Sequence, residues 1–286
     1  MKIYTLGPDK SFSSLGAKKF CKESGLNPAN FSLEDSFAEI WTKLCKNPTD
    51  LAIIPIENTS SSSVHENIDA IFDNSKIQIF AEFFLQIDLH LIGQKNAKQE
   101  EIETIYSHPK ALAQCKIFLS NFAGNTITAE STSQAAKIIR EKNDAKIAFI
   151  GGKYLADENF KILAKNVANQ KYNFTRFVLV GQKKSAFDVG TGRDLSTQIT
   201  RNKATLIFET KHEAGALAKI LTTISLLNGN LLKIESRPIP EKPHNYSFWV
   251  DIDQTGTPDN LFDILAKNLH SLRIVGVYKK GETIII

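Results

Sequence analysis

Cysteine is scarce in this 286-residue chain: Cys21, Cys45 and Cys115 stand far apart, with no CxxC pair and no histidine at metal-ligand spacing. An odd, scattered set excludes a disulfide framework and a zinc site and reads as reduced thiols. Long apolar runs are also missing. No stretch approaches the roughly 18 apolar residues of a membrane span, and the opening Met1-Lys2-Ile3-Tyr4-Thr5-Leu6 is too short for a signal peptide before Gly7-Pro8 ends it. The cytoplasm is the expected compartment. Runs of like charge are absent as well. The 35 basic and 31 acidic residues, net +4, spread along the whole chain, unlike the clustered charge of a nucleic-acid binder. That mild excess suits a small anionic substrate. There is no phosphate-binding loop, dinucleotide fingerprint or Ser-His-Asp context. What remains is 42% hydrophobic and 23% charged, the composition of a globular protein with a packed core.

Up to about residue 180, short apolar runs alternate with helical patterns. Strands are predicted at Lys2–Leu6, Leu51–Ile56, Thr104–Tyr106, Thr126–Thr128 and Lys146–Ile150. Helices are predicted at Phe12–Glu23, Val64–Phe72, Pro109–Phe122 and Thr132–Arg140. This alternation implies α/β layers around a largely parallel sheet. The long apolar stretch Ile77–Ile92 breaks the rhythm and could carry the chain between lobes. After the strand Phe177–Val180 the chain turns polar and glycine-containing, which marks residues 183–202 as a linker. From 203 the pattern starts afresh. A strand Ala204–Phe208 is followed by a helix carried by Ala216, Leu217, Ile220, Leu221, Ile224 and Leu227. Strands Asn230–Ser236 and Tyr246–Asp253 follow, then a helix opened by Thr257-Pro258 and a strand Leu272–Tyr278. The order βαββαβ is that of a ferredoxin-like unit.

Four segments put polar residues where strands end and helices begin. Gly7-Pro8-Asp9-Lys10-Ser11-Phe12-Ser13 offers unpaired backbone N–H groups and the hydroxyls of Ser11 and Ser13, a setting for a carboxylate or simply a capped helix. Pro55-Ile56-Glu57-Asn58 ends a strand and runs into five hydroxyl residues, either a ligand site at a strand's carboxyl end or a flexible serine loop. Ser131 and Gln134 match a capping box beside Thr132. Asn173-Phe174-Thr175-Arg176-Phe177 opens a strand with a hydroxyl and a guanidinium side by side. His108 is a candidate catalytic histidine by type, but it precedes a helix with Pro109 at its first position and reads as the residue before a helix start.

Together these segments resemble the prephenate dehydratase family over nearly the whole chain. The resemblance is carried by Gly7-Pro8 through Phe12-Ser13, Pro55-Ile56-Glu57-Asn58, Ser107-His108-Pro109 with Ala111-Leu112 and Gln114-Cys115, and Thr175-Arg176-Phe177. Gly215-Ala216-Leu217 and Glu235-Ser236-Arg237-Pro238 extend it into the second half. It implies a two-lobed α/β catalytic domain, like periplasmic binding proteins, over 1–182, a linker over 183–202, and a ferredoxin-like α+β ACT domain over 203–286. The implied reaction removes carbon dioxide and hydroxide from prephenate to leave phenylpyruvate, with no cofactor and no metal. It belongs to phenylalanine biosynthesis.

By the same resemblance Thr175, Glu57 and Asn58 are catalytic. Thr175 donates to the departing hydroxyl, Asn58 orients it, and Glu57 steadies the donors. Arg176 holds a substrate carboxylate, and Ser11, Ser13, Ser131, Thr132 and Phe177 complete the substrate site. Phenylalanine, the expected effector, is bound through Gly215, Ala216, Leu217, Asn230, Glu235, Ser236 and Arg237, at an interface between ACT domains of a homodimer or homotetramer. No nucleic-acid or membrane partner is implied. No chorismate mutase segment precedes the matching motifs, so that conversion is expected from another protein.

The chain departs from the family pattern at several positions. Lys10-Ser11 stands for Gly-Thr, Ser62 for a glycine, Phe149-Ile150-Gly151-Gly152 for Ala-Ile-Ala-Ser, and Lys110 for Gln. Arogenate dehydratase, a non-catalytic amino-acid-binding regulator and a non-aromatising decarboxylase are the alternatives. The intact Thr175-Arg176-Phe177 speaks against the last two.

Overall fold

The computed structural model describes residues 1–27, 30–60, 62–183, 201–239, 242 and 244–286. All but the ends of the predicted linker 183–202 lies outside them.

The first sheet begins with β1 (Ile3–Leu6), which pairs in parallel with β2 (Phe31–Glu34) and β3 (Leu51–Asn58). Helices α1 (Phe12–Glu23) and α2 (Phe37–Lys46) connect them, and α3 (His65–Asp73) follows the short β4 (Ser62–Ser63). Then β5 (Ile77–Gln86) leaves for a second lobe, and β11 (Phe174–Gln182) returns between β3 and β5, antiparallel to both. The second lobe is a five-stranded sheet in the order β10-β6-β9-β7-β8. It comprises β6 (His90–Gln94), β7 (Thr104–Ser107), α4 (Pro109–Gln114), α5 (Lys116–Ser120), β8 (Asn125–Thr128), α6 (Thr132–Lys142), β9 (Ile147–Gly151) and β10 (Phe160–Ala164).

The remaining residues build β12 (Lys203–Glu209), α7 (Ala216–Leu226), β13 (Asn230–Pro238), β14 (Tyr246–Asp253), α8 (Leu261–Asn268) and β15 (Ser271–Tyr278). Their sheet order is β13-β14-β12-β15. The last strand, β16 (Thr283–Ile284), does not join it. It adds in parallel to the edge of β5, so the first sheet runs β16-β5-β11-β3-β1-β2, with β4 beside β3.

Alternation along β11 sorts the core. Phe177 and Leu179 face α1 and meet Phe83, Ala17, Phe20 and Cys21. Val178 and Val180 face the other way, with Ile40, Leu44, Ile68 and Ile71 of α2 and α3 and with Ile207, Trp249 and Val275 of the third sheet. Each large apolar side chain buried here contributes about 1.5–3 kcal/mol. The first and third sheets therefore pack face to face. Their approach is close at Gly276, where a Cβ would come within 2.2 Å of the Ile79 carbonyl oxygen. The third sheet's other face, with Ala204, Leu206, Phe208, Val250 and Ile252, takes Ile220 and Ile224 of α7 and Leu261 and Leu265 of α8.

Four differences from the sequence reading have local causes. Ile77–Ile92 is two strands, because the chain changes lobes at residues 87–89. The helix predicted over Pro109–Phe122 is split at Cys115. The last helix starts at Leu261 with Asn260 as its cap, not at Thr257. The pair β2–α2 carries a signal the reading passed over: Ser36 caps the Glu39 N–H, and Ile40, Trp41 and Leu44 make one apolar face.

Candidate active site

The register of β11 on β3 sets Thr175 opposite Asn58 and Arg176 opposite Glu57. Because side chains alternate across a strand, one pair faces the second lobe and the other faces the third sheet.

On the lobe side the groups are neutral and interlocked. Asn58 Nδ2 donates to Thr175 Oγ1 at 2.9 Å and to Asn173 Oδ1 at 3.0 Å. Asn58 Oδ1 accepts from the Ser60 N–H at 2.9 Å and the Ser60 hydroxyl at 2.6 Å. Gln114, from α4 of the second lobe, closes the ring. Its Nε2 donates to Ser60 Oγ and its Oε1 accepts from Asn173 Nδ2 at 3.0 Å. As an acceptor from Asn58, Thr175 keeps its own proton for a group in the cleft, and the accepted bond strengthens that donor. Ser60, Gln114 and Asn173 were not singled out from sequence. Gln114 and Asn173 sit inside quoted motifs, and Ser60 was one of five hydroxyl residues in a row.

Two helix starts meet across the same cleft. Ser11 caps α1, accepting from the Ser14 N–H at 3.1 Å, and Ser131 caps α6, accepting from the Gln134 N–H at 3.0 Å. The Ser133 hydroxyl donates to the Lys10 carbonyl at 2.7 Å, and Phe12 meets Tyr154 edge-on at 5.3 Å, so the two N-termini are held together. Ser13 is half-buried on the first turn of α1, and Thr132 is buried on that of α6. Two positive helix ends with hydroxyl donors favour an anion bearing carboxylates.

The departures from the family pattern have structural readings here. Lys10 and Ser62 hold φ of 59° and 62°, the left-handed region in which glycine carries no penalty. A side chain there costs about 1–2 kcal/mol. At Gly152 a Cβ would lie 2.2 Å from the Tyr154 ring, so the ring occupies space that a larger residue would need.

On the opposite face, Arg176 is 3% exposed. Its Nε donates to Glu82 at 2.7 Å, its Nη1 to Asp251, and its Nη2 to the Tyr278 hydroxyl at 3.1 Å. Lys203 Nζ donates to both Glu82 oxygens, at 2.9 and 2.8 Å. Burial alone would lower the Arg176 pKa, but Asp251, Tyr278 and Glu82 hold it well above its ordinary value. Burial pushes the Asp251 carboxyl up, and Arg176 and Lys203 outweigh it, leaving the group below the usual carboxylate range.

This placement corrects three expectations. Arg176 points away from Thr175, with its nitrogens engaged by the third sheet, and does not grip a substrate carboxylate in the cleft. Glu57 lies on the same charged face, 3.3 Å from Lys233 and 3.7 Å from Arg176, and does not steady the cleft donors directly. Phe177 is core, stacked on Phe83 at 5.1 Å, and does not line the substrate site. Periodicity of two turns Arg176 and Glu57 away from the cleft, whereas Phe177 shares the Thr175 face but lies deeper along the strand, in the core against α1.

The effector residues divide in the same way. Gly215, Ala216 and Leu217 line an open cavity of about 460 Å3 with His212, His244, Tyr246 and Phe248. Gly215 takes φ of 80° to start α7, a conformation that suits glycine. Ser236 pairs with Phe248 and shares its helix-side face. Glu235 and Arg237 face the first sheet instead. Glu235 accepts from Ser63, and Arg237 reaches Asp69 at 2.8 Å and Glu235 at 2.7 Å. Asn230 is exposed at the start of β13 and outside the cavity lining. The sequence reading placed Asn230, Glu235 and Arg237 on the ligand; the structure puts none of the three in this cavity.

His108 caps α4 through Nδ1, accepting from the Lys110 N–H at 3.2 Å. Burial and the charge of Lys110 lower its pKa, which leaves it a neutral cap. Among the described residues no group of three or more His, Cys, Asp or Glu side chains is arranged to hold a metal ion, and no helix is long and apolar enough to cross a membrane.

The comparisons with known proteins converge. The family model described as prephenate dehydratase matches residues 3–185. The prephenate dehydratase of Lactococcus lactis subsp. cremoris is 31% identical over 293 residues, covering 99% of this chain and 100% of that one. The crystal structure of the prephenate dehydratase from Staphylococcus aureus superposes with a TM-score of 0.78 at 23% identity, over 98% of this chain and 100% of that one. That of the Arthrobacter aurescens enzyme in complex with L-Phe gives 0.76 at 21% identity, over 98% and 90%. With a family model across well over half its length and a relative alignable end to end, this chain belongs to the prephenate dehydratase family.

Proposed function

We propose that this chain converts prephenate to phenylpyruvate, with release of carbon dioxide and water, and is restrained by phenylalanine bound to its C-terminal ACT domain. The observation that carries the reading is the hydroxyl of Thr175, held at 2.9 Å by the Asn58 amide in a ring that Gln114 closes from the second lobe. The helix starts with Ser11, Ser13, Ser131 and Thr132 take the substrate carboxylates. As the ring carboxylate leaves as carbon dioxide, its electron pair completes the aromatic ring and expels the ring hydroxyl. Thr175 hydrogen-bonds that hydroxyl as charge develops on it, and the departing hydroxide takes up a proton to become water. Aromatisation supplies the drive, so positioning is the main task left to the protein.

The proposed division is a catalytic domain over 1–182, a linker over 183–202 and the ACT domain over 203–286. Phenylalanine occupies the cavity at Gly215, Ala216 and Leu217, which Phe248, the β14 partner of Ser236, also lines. Support for assembly as a homodimer or homotetramer comes from β13, an edge strand with Leu231, Leu232 and Ile234 exposed. A cytoplasmic location fits the three free thiols. The test is phenylpyruvate formation from prephenate by purified protein, with and without phenylalanine and with arogenate as the competing substrate. Turnover of prephenate that falls on adding phenylalanine is expected. Faster turnover of arogenate reassigns the substrate, and no turnover of either overturns the enzyme.

A further inference from the structure

Thr175 and Arg176 are neighbours on one strand, yet Arg176 is held by side chains from another sheet. The ladder between β11 and β3 is irregular at this point: Arg176 pairs with Glu57 and Phe177 with Pro55, so Ile56 has no partner. Pro55 has no N–H to give. On its other edge β11 pairs with β5 without a break from Phe174 to Leu179, so the backbone is held there. At the irregular edge the charged cluster adds a side-chain anchor. Glu82 and Asp251 have side chains with 0% exposure, and those of Arg176 and Lys203 are at 4%. Asp251 is bonded on both oxygens: Oδ2 takes Arg176, and Oδ1 takes the Thr205 hydroxyl at 2.6 Å and the Trp249 indole at 3.2 Å. Two cations and two anions balance. Replacing such a buried cluster with apolar residues is often neutral or stabilising, so adhesion between sheets does not explain it. A planar guanidinium with fixed partners on three nitrogens offers direction instead.

We propose that Asp251, with Glu82 and Lys203, positions Thr175 by clamping Arg176, so that a side chain of the C-terminal domain helps to set the geometry of catalysis. This rests on the reading that Thr175 serves the departing hydroxyl. The side chains touch no substrate. Their effect passes along one residue of backbone.

The experiment measures kcat and KM for prephenate in four proteins: wild type, Asp251→Asn, Thr175→Val, and the double variant. Asp251→Asn keeps the shape and the Thr205 contact while removing the charge. It is expected to lower kcat about ten- to a hundredfold, as a misplacement of about 1 Å does, with KM within about threefold. In the Thr175→Val background the same change is expected to cost less than about twofold, because the group it positions is gone. Equal losses in both backgrounds overturn the proposal, since damage to the fold or to another group would be independent of Thr175. A rise in KM of about tenfold with kcat kept also overturns it, by placing Arg176 on the substrate. If Asp251→Asn does not fold, Tyr278→Phe takes its place in the same cycle. It removes one hydroxyl, which meets Arg176 at 3.1 Å and Thr205 at 2.6 Å, and leaves every charge in place. Wild-type turnover separates the two readings: none sinks both, whereas turnover with equal losses sinks this one alone.

Discussion

The two faces of β11 near Thr175 are built from opposite materials. Towards the cleft stand Thr175, Asn58, Asn173, Ser60 and Gln114, all neutral and all able both to give and to take hydrogen bonds. Towards the third sheet stand Arg176, Glu57, Glu82, Lys203 and Asp251, all charged, most of them sealed from water. A ring of amides and hydroxyls can exchange one partner for a substrate oxygen at small cost, because no group is left with an unpaired charge. A buried ion cluster cannot, since removing one member strands another. The adaptable chemistry therefore faces the interlobe cleft, and the rigid chemistry faces the seam between the first and third sheets.

The largest effect that can break this comparison is on turnover. Thr175→Ala is expected to lower kcat by about 10^2–10^3, the usual loss for one donor to a developing oxyanion, with KM changing little. Steady-state kinetics check it, and unchanged kcat would remove Thr175 from the chemistry. Next comes stability. Breaking the ion cluster with Asp251→Asn should destabilise the protein by about 3 kcal/mol near neutrality. Because the Asp251 pKa is depressed in the fold, its contribution is fully present above the ordinary value of about 3.8–3.9 and is lost as pH falls through the depressed one. Urea unfolding should show a gap between wild type and variant that is flat from pH 7 to about pH 4 and narrows below. A gap that narrows already at pH 6 would assign it to another group.

A smaller effect is expected at the lobe bridge. Gln114→Leu leaves Ser60 and Asn173 without their link to the second lobe and should lower kcat/KM about tenfold, close to the loss of one or two hydrogen bonds. The same value as wild type would make the bridge incidental. Smallest, Arg237→Ala should weaken inhibition by phenylalanine several-fold, within the usual range of coupling energies, while basal turnover falls far less. Overlaying inhibition curves would separate Arg237 from regulation. Since Arg237 bonds Asp69 and Glu235 and does not line the Gly215 cavity, a shift would be read as altered coupling between domains.

Much of this was legible in the sequence, and the failures share one origin. Strands, caps and βαββαβ order follow from local rules, so Ser11, Ser131 and Pro109 fell where helix starts need them. Thr175 and Asn58 were brought to one site only by the family resemblance; that Thr175 near the start of β11 lies opposite Asn58 at the end of β3 is a matter of register. The side-chain direction at Arg176, Glu57, Phe177, Glu235 and Arg237 could not be assigned, because a motif read as a string has no faces. Alternation was available for Thr175-Arg176-Phe177, and applied strictly it separates Arg176 from both neighbours. What alternation does not say is which face meets the cleft. That depends on a third sheet whose contact with the first is made by residues about 75 to 120 positions away. Gln114 and Ser60 meet from different lobes, and no local pattern announces such a meeting.

The Tyr154 ring lying where a Cβ on Gly152 would stand couples the fate of two positions. Neither can drift alone: any side chain at 152 evicts the ring, and loss of the ring opens a hole beside Phe12 at the cleft wall. Across relatives, residues 152 and 154 should therefore change as a matched pair, and a graft that imports one without the other should be repaired first at its partner.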